Sequence, residues 1–288
     1  MAKVRRLTGG VVRSKKSAVV DVVLPTARSV PSTRIGDYTF LIYGEKKIGK
    51  TSLAARFPRP LFLFTEPGGK GLRTYSVACA SWPVFRGAVK QLRGPDGARF
   101  RTVFVDTVDN LYDMCFAHVC GTLAIDHPSE EDWGKGWDAI KREFAEGLSE
   151  LLTWGGGVGF LSHAAVSDVT DRKGKTHHRI GTTMKKAAGA YLEAVVDVWA
   201  YYRYEGKRRA LQIGGDDMVS AGSRCEGNFK TTDGRPVRVI DMGQSASEAY
   251  AALTAAFNNQ QETPDPFEAD EGGTGDHTTI RRRKVDRK

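Results

Sequence analysis

Residues 44–51 combine residue types and a spacing that could bind a phosphate. They read Gly-Glu-Lys-Lys-Ile-Gly-Lys-Thr, which fits the pattern G-x-x-x-x-G-K-T. The two glycines lack a Cβ, so the backbone there can approach phosphate oxygens closely. Lys50 would bring a positive charge to the β- and γ-phosphates, and Thr51 would offer its hydroxyl to Mg²⁺. The residues that we expect to surround the nucleotide are Gly44, Glu45, Lys46, Lys47, Ile48, Gly49, Lys50, Thr51 and Ser52.

The segments on either side of this loop fit a strand before it and a helix after it. Residues 38–43 are mostly apolar, β-branched or aromatic, whereas residues 52–57 are good helix formers that end at Pro58. In that order the loop amides and the helix N-terminus would face a bound phosphate. The context argues against a chance match in a glycine-rich surface turn, and predicts a P-loop.

Hydrolysis also requires a carboxylate near Mg²⁺, and Asp106 is the first candidate. It ends the apolar run of residues 102–106, which is the place of a Walker B aspartate. The alternative role for Asp106 is an N-cap, because a helix is expected directly after Thr107. Asp109 is a second candidate carboxylate, although an acid in the first turn also suits the helix dipole. We therefore expect Thr51 and Asp106 to hold the metal.

Two further polar residues follow predicted strands. Glu66 comes directly after residues 60–65, and His163 follows residues 158–162. Ligands of open α/β sheets bind at the carboxyl ends of the strands, so Glu66 could polarise the attacking water and His163 could contact the γ-phosphate. The alternatives are a solvated turn residue and an ordinary hydrogen-bonded histidine. Ser162 is a weaker candidate for the same contact. Lys50, Glu66, Asp106 and His163 are thus the candidate catalytic residues.

Strands that alternate with helices predict an α/β fold with a mostly parallel sheet, flanked by helices and extended by antiparallel edge strands. The predicted strands are 38–43, 60–65, a short one around 82–85, 102–106, 158–162, a hairpin of 195–204 with 208–213, and 237–241. The predicted helices are 52–57, 86–93, 109–119, 133–152, 184–194 and 246–257. Residues 168–180 are polar and basic, which predicts a mobile loop.

Composition divides the 288-residue chain into three segments. Residues 1–34 form a basic arm with a possible strand near 19–24, residues 35–258 form the core, and residues 259–288 form a disordered tail that is first acidic and then basic. The formal net charge of +9 suits a polyanionic partner.

The cysteine pattern and the hydropathy predict a cytoplasmic protein. The four cysteines form no C-x-x-C pair, so free thiols in a reducing compartment are expected rather than disulfides or zinc ligands. We find no apolar run long enough to cross a bilayer and no apolar core of a signal peptide. If the chain is phage-encoded, the compartment would be the cytoplasm of the host.

The order of these motifs resembles that of the RecA-like P-loop NTPases. It is most similar to the phage-encoded single-domain RecA-like ATPases, which include single-strand annealing proteins of the Sak type. The resemblance covers about residues 35–258 and rests on the P-loop, Thr65–Gly68, Val105–Thr107 and Ser162-His163. It implies ATP and Mg²⁺ as cofactors, Glu66 as the residue that activates water, and His163 in a sensor place that is often Gln.

The resemblance also implies assembly into a ring or filament, in which a basic residue of a neighbouring copy completes the site. Arg179, Lys185 and Lys186 are candidates, although a solvated basic face is the better interpretation of any one of them. In RecA-like proteins, DNA-binding loops lie where this chain has residues 168–180. The residues of that loop that we expect to contact nucleic acid are Arg172, Lys173, Lys175 and Arg179.

The sequence therefore predicts an ATPase that acts on single-stranded DNA in phage recombination or replication, with a phage or host replication or recombination protein as a possible partner. The loop at 168–180 has no aromatic residue, so its contacts would be with the DNA backbone and sensitive to salt. Two alternatives stay open. One is a nucleotide-switched assembly or partner-binding protein, and the other is a small-molecule kinase in which residues 168–180 form a lid.

Overall fold

The computed structural model describes residues 24–170 and 174–268. The chain divides into two units, residues 1–32 and 33–288. In the first unit, residues 24–32 form no helix or strand, and the strand expected near 19–24 lies almost wholly outside the described residues. The second unit carries every element named below. None of the helices in the described ranges has both the length and the apolar content that crossing a membrane demands.

The strands of the described residues are β1 Thr39–Gly44, β2 Pro60–Phe64, β3 Tyr75–Ala78, β4 Thr102–Asp106, β5 Gly157–Thr170, β6 Thr176–Thr182, β7 Val198–Glu205, β8 Arg208–Gln212, β9 Gly222–Ser223 and β10 Val239–Gly243. The α-helices are α1 Lys50–Ala54, α2 Trp82–Leu92, α3 Val108–Leu123, α4 Lys135–Leu152, α5 Lys186–Val195 and α6 Ala246–Phe257.

The strands form a mixed sheet in the order β10-β8-β7-β1-β5-β4-β2-β3. From β7 to β3 in this order the neighbours run parallel, whereas β8 is antiparallel to β7 and β10 is antiparallel to β8. The predicted fold class, a mostly parallel α/β sheet with antiparallel edge strands, is confirmed. Because β1, β2, β4 and β5 are parallel, the ends of β1, β2 and β4 lie level with His163 within β5, so the candidate residues share one edge of the central sheet.

Both faces of this sheet are covered, which explains why its central strands are apolar without alternation. In β1, Leu41 and Tyr43 belong to a buried cluster with residues of α2, α3, α4 and α5. Phe40 and Ile42, which point to the opposite face, belong to a second buried cluster with residues of α1 and α6. The core therefore fixes the position of the loop that begins at Gly44.

The strand predicted around residues 82–85 is wrong, because these residues form the first turn of α2 and the strand lies earlier, at Tyr75–Ala78. The N-cap of α2 is Ser81, and Pro83 lies in the first turn. Proline there has a φ already suited to a helix and loses no intrahelical hydrogen bond. The apolar residues around it therefore form a helix start rather than a strand.

The mobile loop predicted for residues 168–180 is also wrong over the part that the structure describes. β5 continues beyond the central sheet to Thr170 and pairs antiparallel with β6, so that Val166 lies opposite Ile180. The polar residues of this segment thus belong to two paired strands, and the backbone of Ile180 also hydrogen-bonds to Met218 and Ser220.

Part of the predicted tail packs on the sheet. Gln261 pairs with Thr231, and the carbonyl of Pro264 accepts hydrogen bonds from the amides of Arg238 and Val239. Residues 269–288, which hold the basic end of the tail, lie outside the described residues.

Candidate functional site

The phosphate-binding loop joins β1 directly to α1. Gly49 caps the helix with a φ of 108°, a left-handed conformation that favours glycine. Lys50 follows as the first helical residue, and its side chain folds back over the loop. Its Nζ donates hydrogen bonds of 2.8 Å to the carbonyl oxygens of Gly44 and Glu45. Burial lowers the pKa of Lys50, while the nearby carboxylates, Asp106 first, oppose that shift.

Thr51 and Asp106 meet at the start of α1 and the end of β4. The Thr51 hydroxyl donates a 2.8 Å hydrogen bond to Asp106 Oδ2. Burial raises the pKa of Asp106, and the bond from Thr51 acts in the opposite direction. A hydroxyl and a carboxylate held together in this way are the oxygen ligands that Mg²⁺ prefers, so the pair fits that metal.

A cavity of about 480 Å³ brings the candidate residues together. Its lining consists of Lys46, Lys47, Gly49, Lys50, Thr51, Ser52, Glu66, Pro67, Asp106 and His163. Glu66 Oε1 lies 3.8 Å from His163 Nε2. The residues proposed for metal, phosphate and water therefore converge on one volume, although they belong to four different strands or to the segments that follow them. Their individual roles stay predictions.

Two residues of the first turn of α3 form hydrogen bonds that position residues at this cavity. The sequence analysis predicted this role for neither of them. Asn110 Nδ2 donates a 3.2 Å hydrogen bond to Glu66 Oε2. Asp109 Oδ1 accepts hydrogen bonds from Ser162 Oγ at 3.0 Å and from Thr183 Oγ1 at 2.5 Å. Asp109 therefore links α3 to β5 and to the segment after β6, instead of lying in the metal pair. A polar residue in the turn after a Walker B strand is the signal that could have indicated Asn110.

Burial and then the charge of Lys50 lower the pKa of His163 from the ordinary value of 6.5, which favours the neutral imidazole at pH 7. A neutral imidazole resembles the amide of glutamine in that both hydrogen-bond without charge. We therefore expect His163→Gln to keep turnover within about threefold and His163→Ala to lower it by about tenfold, the typical worth of one hydrogen bond.

The pH profile separates this expectation from a purely structural role. The pKa of His163 is lowered from 6.5. As the pH falls below this pKa, the wild-type protein loses its neutral imidazole, and its turnover should therefore decrease. Steady-state kcat measured from about pH 5 to about pH 8 should show this acid loss in the wild type and a smaller one in His163→Gln. Identical profiles for the two proteins would contradict it.

Gly44 is required for space rather than for an unusual φ. It lies in β1 between β5 and β7, opposite His163 and Tyr202, and a Cβ there would be 2.2 Å from the Tyr202 carbonyl oxygen. We expect Gly44→Ala to lower the free energy of unfolding by about 1–3 kcal/mol, the usual cost of overpacking. Urea unfolding measures this, with Gly181→Ala as control, since a Cβ at Gly181 meets nothing within 4 Å. Equal destabilisation of both variants would refute the steric argument.

The basic candidates lie at and beyond the β5–β6 hairpin. Arg172 and Lys173 lie outside the described residues, and Lys175 is exposed just before β6. Arg179 is half-buried in β6, and its Nε is buried without a hydrogen-bond partner among the described residues. Burial raises the pKa of the Tyr43 phenol, and the charge of Arg179 partly opposes that shift. Lys185 and Lys186 are exposed at the start of α5.

The chain is similar in sequence to a known prophage protein and aligns in structure with a known recombinase. The chain is similar to the SPbeta prophage-derived uncharacterized protein YorG of Bacillus subtilis (strain 168), with 29% identity over 166 residues, 55% of this chain and 49% of that protein. It thus spans about half the length of this relative. The crystal structure of the RadB recombinase aligns with a TM-score of 0.37 and 14% identity, covering 62% of this chain and 80% of that chain.

The AAA domain family matches residues 37–225, which is more than half of the chain. That range contains the loop, both members of the metal pair and the other residues that line the cavity. With this match and the observed sheet, the mostly parallel α/β P-loop fold expected from the motifs is confirmed. The chain belongs to the AAA domain family.

Proposed function

We propose that the protein is an Mg²⁺-dependent ATPase with a RecA-like core, which hydrolyses ATP while acting on single-stranded DNA in phage recombination or replication. The observation that carries the ATPase part is the convergence of Lys50, Thr51, Glu66, Asp106 and His163 on one cavity. Glu66 follows β2, Asp106 ends β4 and His163 lies within β5, whereas Lys50 and Thr51 belong to the phosphate-loop motif. Chance placement would not bring them to the same edge of the sheet.

Each residue has a distinct task in this proposal. Lys50 leaves the carbonyls of its own loop to bind the β- and γ-phosphates, and Glu66 accepts a proton from the attacking water. Thr51 and Asp106 hold Mg²⁺, which neutralises phosphate charge when it is bound. His163 donates or accepts one hydrogen bond at the γ-phosphate, as a neutral group. Asn110 orients the carboxylate of Glu66.

The DNA part of the proposal is supported by the net charge of the chain and by its similarity to phage proteins. The formal net charge is +9, and a polyanion with regularly spaced phosphates would complement it. The similar protein YorG is described as prophage-derived, which favours a phage setting for this chain. The resemblance to Sak-type annealing proteins favours a single strand as the substrate.

Self-association into a ring or filament is part of the same proposal. A nucleotide bound at a subunit interface takes a basic residue from the neighbouring copy, and the exposed Lys185 and Lys186 are better placed for this than the half-buried Arg179. A size measurement by light scattering, with ADP and with a slowly hydrolysed ATP analogue, tests the assembly. An unchanged monomer in both states would refute it.

The main experiment measures ATP turnover with and without an unstructured single-stranded oligonucleotide at several salt concentrations. We expect turnover to rise with the strand, and the affinity for the strand to fall steeply with salt, because phosphate contacts release counterions. Turnover without any response to DNA would instead support a nucleotide-switched assembly protein. Transfer of the γ-phosphate to a metabolite would support a kinase.

A further inference from the structure

Two adjoining cavities form a groove beside α1. The first, of about 500 Å³, begins at Gly49 and Ser52 of the phosphate loop, and the second, of about 550 Å³, reaches the starts of β2 and β3. Ala55 and Arg73 line both cavities. The groove therefore runs from the candidate ATP site along α1 toward the opposite edge of the sheet.

Arginines dominate this groove. We define the arginine groove by the four side chains Arg56, Arg59, Arg73 and Arg99, each of which is exposed and lines one or both cavities. No Asp or Glu lines either cavity. Within the described ranges, none of the four forms an ion pair, in contrast to Arg86 and Arg101, which are paired with carboxylates. Unpaired guanidinium groups that face one channel repel one another, so a bound anion would stabilise them.

The backbone holds one of these arginines in an unusual conformation. Arg59 lies between Pro58 and Pro60 and has a φ of 43°, a left-handed conformation that favours glycine or asparagine. Its carbonyl accepts a 3.1 Å hydrogen bond from the amide of Arg101, which fixes the turn. The side chain of Arg59 thus starts from a rigid backbone, which lowers the entropic cost of holding a ligand.

An exposed aromatic side chain, Tyr75, lines the second cavity. Tyr75 is 65% exposed, and its ring lies 5.6 Å from that of Phe100 in an edge-on arrangement. The guanidinium of Arg99 lies over the Phe100 ring at 5.1 Å. An exposed tyrosine beside planar cations is suited to stack on a base, since bases stack on aromatic side chains regardless of sequence.

We propose that the arginine groove binds the sugar–phosphate backbone of a single-stranded nucleic acid, with Tyr75 stacking on one base. Guanidinium groups bind phosphates through paired hydrogen bonds, and a row of them matches a repeating phosphate better than it matches a single small anion. This inference rests on the proposed DNA function and places the strand along α1 rather than on the β5–β6 hairpin. An acidic protein segment is the competing occupant.

Fluorescence anisotropy of a labelled oligo(dT) with the full chain tests the groove. The double variant Arg59→Gln/Arg99→Gln removes two charges that lie away from the phosphate loop. We expect its affinity for the strand to fall by about tenfold or more, and the slope of log K against log salt to decrease in magnitude by about 1.4, or 0.7 per lost contact. Tyr75→Ala should weaken binding about fivefold or more. Affinity for ATP should not change.

The control variant Lys90→Gln/Arg142→Gln loses the same charge from exposed positions of α2 and α4. Equal affinities of the two double variants for oligo(dT) would overturn the groove assignment. In that case, salt-sensitive binding of oligo(dT) by the wild type would still support the proposed DNA function. A wild type that fails to bind oligo(dT) at low salt would overturn the DNA function itself. Groove-dependent binding of a Glu-rich peptide in place of the strand would overturn the choice of ligand.

Discussion

Lys50→Ala is expected to abolish ATP turnover, with a loss of at least about 100-fold, the usual effect of removing one donor that faces developing charge. The motif assigns the Lys50 ammonium to the β- and γ-phosphates, and its two present partners are neutral carbonyl oxygens of its own loop. Alanine removes the charge and the two hydrogen bonds together. Turnover by a coupled phosphate-release assay and nucleotide affinity by calorimetry measure the effect.

A fold control accompanies this variant because Lys50 is only 6% exposed. Circular dichroism and thermal unfolding should show that Lys50→Ala retains its structure, and Lys90→Ala in α2 should turn over ATP at the wild-type rate. A folded Lys50→Ala protein with normal turnover would remove the phosphate loop from the mechanism.

Glu66→Gln is expected to bind ATP normally but to hydrolyse it about 10²–10⁴-fold more slowly, the range for loss of a general base. Glutamine has nearly the same shape as glutamate, and its amide oxygen can still accept the hydrogen bond that Asn110 donates. The amide cannot accept a proton from water. Nucleotide affinity and single-turnover hydrolysis, measured on the same preparation, separate binding from chemistry.

The control for Glu66→Gln is Glu193→Gln, at an exposed position of α5 away from the cavity. Asn110→Ala provides an intermediate case, since it leaves the carboxylate but removes its hydrogen-bond donor, and a smaller loss of turnover is expected. If Glu66→Gln turns over ATP within a few fold of the wild type, water must be activated by another group, and Glu66 has no catalytic role.

The centre of the fold was predictable because local signals agree there with the tertiary structure. The apolar runs that end at Tyr43, Thr65, Asp106 and Ser162 correspond to β1, β2, β4 and the first part of β5. Since parallel strands share an edge, recognising each strand end was enough to anticipate that Glu66, Asp106 and His163 lie near the loop. The hairpin of β7 and β8 was visible for a similar reason, because Gly206 marks a turn between two runs that are typical of strands.

The supporting contacts were not predictable, because they join residues that are far apart in sequence. Asp109 accepts hydrogen bonds from residues 53 and 74 positions away, and no local pattern encodes such a pairing. The arginine groove poses the same difficulty, since Arg59, Arg73 and Arg99 come from three separate connections. Scattered basic residues in a sequence become a surface feature when the sheet order brings their loops together.

The length of β5 has a mechanical consequence. Its first half lies between β1 and β4, whereas its second half, from Ala164, is one arm of the hairpin with β6. At about 3.3 Å per residue, Thr170 lies about 23 Å beyond His163 along one unbroken strand. If β5 tilts by a few degrees at His163, where the strand would meet a phosphate, Thr170 would therefore move by about one or two ångströms.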